Sequence, residues 1–140
     1  MRMLLIEDDL GDIELTQNGV KRSQTDIDLD WVMDGSSAMS YLLQEGKYQQ
    51  KRHPNLILLD LNLPGVHGLK ILEAIKGNNT LKMIPVIIFT TSDADGDVEK
   101  AYALGANCFI QKPASLAQYI TTMTSISAYW AKVAKLPKPL

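Results

Sequence analysis

Five times along this chain a short apolar run gives way to a stretch of helical spacing, and this alternation restricts the fold more tightly than any other feature. Met3-Leu4-Leu5-Ile6 runs into Glu7-Asp8-Asp9, and a polar helix follows from Asp12 to Lys21. Ile27 to Val32 alternates apolar and acidic residues, which reads as a half-exposed edge strand. Asp34-Gly35-Ser36 opens a helix with Ala38, Tyr41 and Leu42 on one face. Leu56-Ile57-Leu58-Leu59 is apolar on both faces, the mark of a central parallel strand. Asn62-Leu63-Pro64-Gly65 has turn chemistry, and Leu69, Leu72 and Ile75 then recur at helical spacing up to Gly77. Pro85 to Phe89 forms a second buried strand, and Val98, Ala101, Tyr102 and Gly105 share one helix side. Cys108-Phe109-Ile110 is a short last strand. Leu116, Tyr119, Ile120, Met123, Ser127 and Trp130 step by threes and fours through a final helix.

Such alternation predicts an α/β chain with a doubly wound parallel sheet and helices on both faces. Right-handed crossovers and the edge-like second strand give the strand order 2-1-3-4-5. The length of 140 residues is that of one domain, and 46% hydrophobic residues suffice for a core. Sixteen acids against fourteen bases, a net charge of −2, argue against nucleic acid as a partner. The single cysteine, Cys108, excludes a disulfide framework and a multi-thiolate metal site. No apolar run is long enough for a membrane span, and the N-terminal run meets acids too soon for a signal peptide. A cytoplasmic protein is the expectation.

Sheets of this kind bind ligands beyond the carboxyl ends of their strands. There the chain places Glu7-Asp8-Asp9, Asp60, Thr90-Thr91-Ser92 and Lys112-Pro113. Taken singly, each has a plain explanation: a helix cap, a strand-end hydroxyl, a surface charge. Asp8 and Asp9 in particular could cap the first helix. Together they describe a chemistry. Neighbouring carboxylates repel unless a cation lies between them, and hard oxygen donors suit Mg²⁺, with Mn²⁺ able to stand in. Asp8 and Asp60 would supply carboxylate oxygens to it. A carboxylate can also act as a nucleophile toward phosphorus, and the transfer needs positive charge and donors around the phosphoryl oxygens. Lys112 and the Thr90 hydroxyl are such groups.

These residues resemble the signature of two-component response-regulator receiver domains. The resemblance rests on Glu7-Asp8, on Asp60 within Leu58-Leu59-Asp60-Leu61-Asn62-Leu63-Pro64-Gly65, on Thr90, and on Lys112-Pro113, and it covers nearly the whole chain. It implies a (βα)5 flavodoxin-like fold, with Asp60 as phospho-acceptor and a sensor histidine kinase as donor. It implies that Glu7, Asp8, Asp60 and the backbone carbonyl of Asn62 hold the metal, and that Thr90 and Lys112 contact the phosphoryl group. It also makes Thr90 and Phe109 the switch pair and the peptide bond before Pro113 cis. Asp8-Asp9-Leu10-Gly11-Asp12, Thr91-Ser92-Asp93-Ala94, Gly105-Ala106-Asn107-Cys108 and the tail with Tyr129-Trp130 resemble stand-alone regulators of the cyanobacterial phytochrome type. One departure is His67, where the family usually has Asp.

Three rival readings fit these residues less well. An aspartyl phosphatase of the haloacid-dehalogenase kind would carry a second Asp where Asn62 stands. A flavodoxin-like FMN carrier would need a phosphate-binding loop where Glu7-Asp8-Asp9 would repel phosphate. A non-switching interaction module would have no use for an intact Asp60 and Lys112. The expected organisation is a receiver over residues 1–126 and a helix extension with tail over 127–140, without an effector domain. An enzyme in the ordinary sense is not expected. Output would pass through protein contacts, including a homodimer through helix 4, strand 5, helix 5 and the tail. Tyr129, Trp130, Val133 and Leu136 continue apolar there, and Pro137 and Pro139 stop the helix.

Overall fold

The computed structural model describes residues 1–92 and 94–138, so the parts of the expected motifs that fall on Asp93 and Pro139 lie outside the described residues. The strands are β1 (Arg2–Ile6), β2 (Asp28–Val32), β3 (Leu56–Leu59), β4 (Val86–Thr90) and β5 (Cys108–Gln111). They alternate with helices α1 (Leu10–Arg22), α2 (Gly35–Leu42), α3 (Gly68–Gly77), α4 (Asp97–Ala103) and α5 (Leu116–Ala128). All strand pairs are parallel, in the order β2-β1-β3-β4-β5 expected from the sequence.

The two-residue period of the strands divides the core into two layers. Leu4, Ile6, Ile57, Leu59, Val86 and Ile88 face α2, α3 and α4. Met3, Leu5, Leu56, Leu58, Ile87 and Phe89 face α1 and α5. This explains why β1, β3 and β4 read as unbroken apolar runs: both faces are covered. The edge strand β2 keeps Asp28 and Asp30 outside the core, and Tyr41 donates a 2.5 Å hydrogen bond to Asp30. Gly19 lets α1 approach α5, since a Cβ there would stand 2.6 Å from the Cβ of Met123. After Ala128 the helix loosens into a π-type turn over Tyr129–Val133, in which Trp130 packs on the core while Tyr129 and Val133 stay exposed. No helix among the described residues is long and apolar enough to cross a membrane.

Candidate functional site

The parallel arrangement points every strand's carboxyl end the same way, and the polar residues that follow β1, β3, β4 and β5 meet there. Register does the placing. Ile6 pairs with Leu59, and the Asp60 N–H donates to the Ile6 carbonyl at 3.1 Å, so Glu7 and Asp60 emerge side by side. Thr90 pairs with Gln111, and the Lys112 N–H donates to the Thr90 carbonyl at 2.7 Å, which sets the lysine beside the threonine. Glu7, Asp60 and Lys112 are buried, unusual for ionisable groups unless they are paired, and the Thr90 hydroxyl is buried with them.

They are paired closely. The Lys112 Nζ donates to Glu7 Oε2 at 2.5 Å, to Asp12 Oδ2 at 2.8 Å and to Asp60 Oδ2 at 2.9 Å, using all three ammonium hydrogens. The other Asp60 oxygen, Oδ1, accepts from the Thr90 hydroxyl at 2.7 Å and from the Asn62 N–H at 3.0 Å. The remaining Glu7 oxygen accepts from the Asp9 N–H at 3.1 Å. Among the described residues no buried side-chain polar atom is left without a partner.

This wiring separates the two buried carboxyls. Burial alone would raise Asp60, but the hydrogen bonds from Lys112 and Asn62 overcome it and hold the carboxyl below its ordinary range. For Glu7 burial prevails over the Lys112 bond, and its pKa is pushed up to about 7. Lys112 itself would be lowered by burial, yet its bonds to Asp12, Asp60 and Glu7 raise it, so the ammonium persists across the physiological range. Asp60 is thus an ionised carboxylate with a fixed cation beside it.

The loop after Asp60 is clamped to the site by backbone. A Cβ at Gly68 would stand 2.4 Å from the Asp60 carbonyl oxygen and 2.6 Å from the Leu61 Cα, so α3 starts against the acceptor loop only because residue 68 has no side chain. His67 caps that helix: its Nδ1 accepts from the Leu69 N–H at 3.2 Å. An Asp at that position would cap in the same way, which accounts for the departure noted in the sequence. Asp9 caps α1 by accepting from the Asp12 N–H at 2.9 Å, as its plain reading held.

One expectation is corrected. The peptide bond between Lys112 and Pro113 is trans, not cis; the described residues contain no cis peptide. The lysine reaches its three carboxylates from the trans geometry, which is also the commoner form for a residue before proline. Cys108, at the start of β5, is half-buried. Phe109 is likewise half-buried, packed against the α2–α3–α4 layer, and its N–H donates to the Tyr102 hydroxyl at 3.1 Å. Asp12, which the sequence marks only as the end of the Asp8–Asp12 run and as an acid in the first turn of α1, with no site role, meets Lys112 as closely as Asp60 does.

A divalent cation fits the donors present. Carboxylate oxygens of Glu7, Asp8 and Asp60 lie within 4.8 Å of one another, Asp8 being exposed and the other two buried. Three hard oxygens so close, with one ammonium already shared between two of them, form a set that a small divalent ion would neutralise.

Comparison with known proteins agrees with this geometry. The response regulator receiver domain family matches residues 3–124. Response regulator Rcp1 of Synechocystis sp. is 41% identical over 135 residues, covering 96% of this chain and 92% of that protein. Among solved structures, the phosphorylated cyanobacterial phytochrome response regulator RcpA superposes with a TM-score of 0.94 at 41% identity, over 98% of both chains. The Mn²⁺-bound form of Rcp1 superposes with a TM-score of 0.93 at 40% identity, over 97% of this chain and 98% of that one. The carboxylates, hydroxyl and lysine gathered at the strand ends are therefore those of a receiver, and the chain belongs to the response regulator receiver domain family.

Proposed function

We propose that this receiver is a phosphorylation switch in which Asp60 takes a phosphoryl group from the phosphohistidine of a sensor kinase, one of the phytochrome type. The observation that carries the reading is the single ammonium, Lys112, held 2.9 Å from an ionised, buried Asp60 whose other oxygen meets the Thr90 hydroxyl. The Asp60 oxygen attacks phosphorus, the P–N bond to the donor imidazole breaks, and the imidazole leaves with the electron pair. An acyl phosphate remains on Asp60. Lys112 then donates to a phosphoryl oxygen in place of the Asp60 oxygen it gives up, and the Thr90 hydroxyl turns to another. Glu7, Asp8, Asp60 and the Asn62 carbonyl would hold the metal, Mg²⁺ or Mn²⁺. When bound, it neutralises charge on the transferring group. Movement of Thr90 toward the phosphoryl group opens room for Phe109, which carries the change to the face formed by α4, β5 and α5.

That face is the proposed output surface, with residues 1–126 as the receiver and 127–140 as its extension. It carries the exposed Tyr129 and Val133 beside an open groove of about 520 Å³ lined by Ile87, Cys108, Ile110 and Trp130. A second copy of the chain is the proposed occupant, recruited on phosphorylation, in the cytoplasm. Incubation with acetyl phosphate and Mg²⁺ followed by intact-mass measurement tests the acceptor. One phosphoryl per chain is expected for the wild type, and none for Asp60→Asn or for the wild type in EDTA. Labelling of Asp60→Asn would refute the assignment. Sedimentation with and without beryllofluoride, on wild type and Val133→Lys, tests the dimer; equal masses in every condition would refute it.

A further inference from the structure

Among the described residues, Asp12 is the one partner of Lys112 that belongs to neither the acceptor nor the metal-binding carboxylates. It meets the ammonium at 2.8 Å, between the 2.5 Å of Glu7 and the 2.9 Å of Asp60. Its backbone is fixed from both sides. The N–H is held by the Asp9 cap at 2.9 Å, and the carbonyl accepts from the Thr16 hydroxyl at 2.8 Å and from the Tyr119 hydroxyl at 3.3 Å. Tyr119 is buried and stacks edge-on against Phe89 with ring centroids 5.1 Å apart, so the stalk that carries Asp12 is anchored in the α1–α5 layer. A carboxylate on so rigid a base is a built part of the site and not a surface charge that happens to reach it.

The geometry points to Asp12 as a positioning residue that sets the strength of the phosphoryl pocket by acting through Lys112. The ammonium has three hydrogens and three carboxyl acceptors, so a phosphoryl oxygen is met only when one acceptor yields. Phosphorylation frees Asp60's share, because that carboxylate becomes the anhydride. Asp12 keeps its own share and remains a full counter-ion, offsetting part of the charge that an incoming dianion feels. Neutralising Asp12 leaves Lys112 placed by Glu7 and Asp60, but less compensated. The pocket then takes up phosphoryl groups more strongly. One charge-assisted hydrogen bond of this kind corresponds to roughly tenfold in an equilibrium.

This inference rests on the reading of Asp60 as the phospho-acceptor, and its test separates the two. Wild type, Asp12→Asn and Asp12→Glu are labelled with acetyl phosphate at concentrations well below saturation in excess Mg²⁺, and their affinities for beryllofluoride are measured by calorimetric titration. Asp12→Asn is expected to label about tenfold faster and bind beryllofluoride about tenfold tighter, whereas Asp12→Glu, which keeps the charge, stays within about twofold of wild type. A merely structural role would slow Asp12→Asn instead. Equal or slower labelling of Asp12→Asn, or an Asp12→Glu that behaves like Asp12→Asn, overturns the proposal while leaving the acceptor reading intact. A wild type that neither labels nor binds beryllofluoride overturns both.

Discussion

Glu7 couples protons, metal and stability, and the coupling has a sign that can be worked out. Burial raises its pKa from an ordinary 4.5 to about 7 in the folded chain. A carboxyl whose folded value lies above its unfolded value holds its proton more tightly when folded, so protonation stabilises the fold. The contribution is fully present below the unfolded value and is lost as pH rises through the folded one. Between pH 7.5 and pH 5 in EDTA, Glu7 should therefore add about 2 kcal/mol on acidification. For a domain of this size that is roughly 5–10 °C in Tm. Asp60 works in the opposite sense, but its pKa is lowered, so its loss begins only below the ordinary aspartate range and outside this window. A metal held among Glu7, Asp8 and Asp60 would need the Glu7 carboxylate, so protons would compete with it. At pH 5 the proton occupies Glu7 about 99% of the time, and Mg²⁺ should bind on the order of a hundredfold more weakly than with Glu7 ionised. The assay is a set of thermal melts of wild type and Glu7→Gln at pH 5 and pH 7.5, with EDTA or saturating Mg²⁺. Wild type in EDTA should gain more from acidification than Glu7→Gln does, and Mg²⁺ should raise the wild-type Tm most at pH 7.5. Parallel pH slopes for the two proteins, or a Mg²⁺ shift equal at both pH values, would refute the reasoning.

Other expectations follow from single contacts. Gly68→Ala drives a Cβ into the Asp60 carbonyl and the Leu61 Cα, atoms of backbone that cannot swing away. Urea denaturation should show a loss of about 3 kcal/mol, and the acceptor should label more slowly. Thr90→Ala removes the 2.7 Å bond to a buried carboxylate and should lower stability by about 2 kcal/mol while still accepting phosphate. Its self-association should no longer respond to beryllofluoride, and a full response would show that Thr90 is no switch. His67→Asp should keep the α3 cap and stay within about 0.5 kcal/mol of wild type, whereas His67→Ala should lose about 1 kcal/mol; equal stabilities for both would remove the capping role.

The fold was legible because its central strands advertise burial on both faces. Leu56 to Leu59 could not be a half-exposed strand, and an acid directly after so apolar a run needs a partner of its own. The principal site residues were legible for the same reason, since parallel pairing carries strand ends to one place. What stayed hidden depends on distances across the chain. Nothing near Asp12 in sequence distinguishes it from an acid favouring a helix N-terminus, and its meeting with Lys112 exists only once α1 packs beside the end of β5. Similarly, histidine is not among the usual capping residues, so the role of His67 required its ring orientation. The cis peptide expected before Pro113 came from resemblance alone, with no local feature of the chain behind it. The π-type turn at Tyr129–Val133 was read as continued helix because its apolar spacing suits either form.

The ammonium that completes the site stands 105 residues from Glu7, 100 from Asp12 and 52 from Asp60. Such separations make the order of assembly matter. A chain that has built β1, α1 and β3 without β5 gathers carboxylates with no resident cation, and their mutual repulsion opposes the very contacts that define the sheet's centre. Docking of the last strand closes the longest loops and relieves that repulsion in one event. Completion of the fold is thereby rewarded electrostatically as well as by burial, which sharpens cooperativity. A half-folded chain has an aspartate at the end of its third strand but no lysine beside it to compensate the charge. The buried cluster of charges at the strand ends is thus complete only once the last strand has docked.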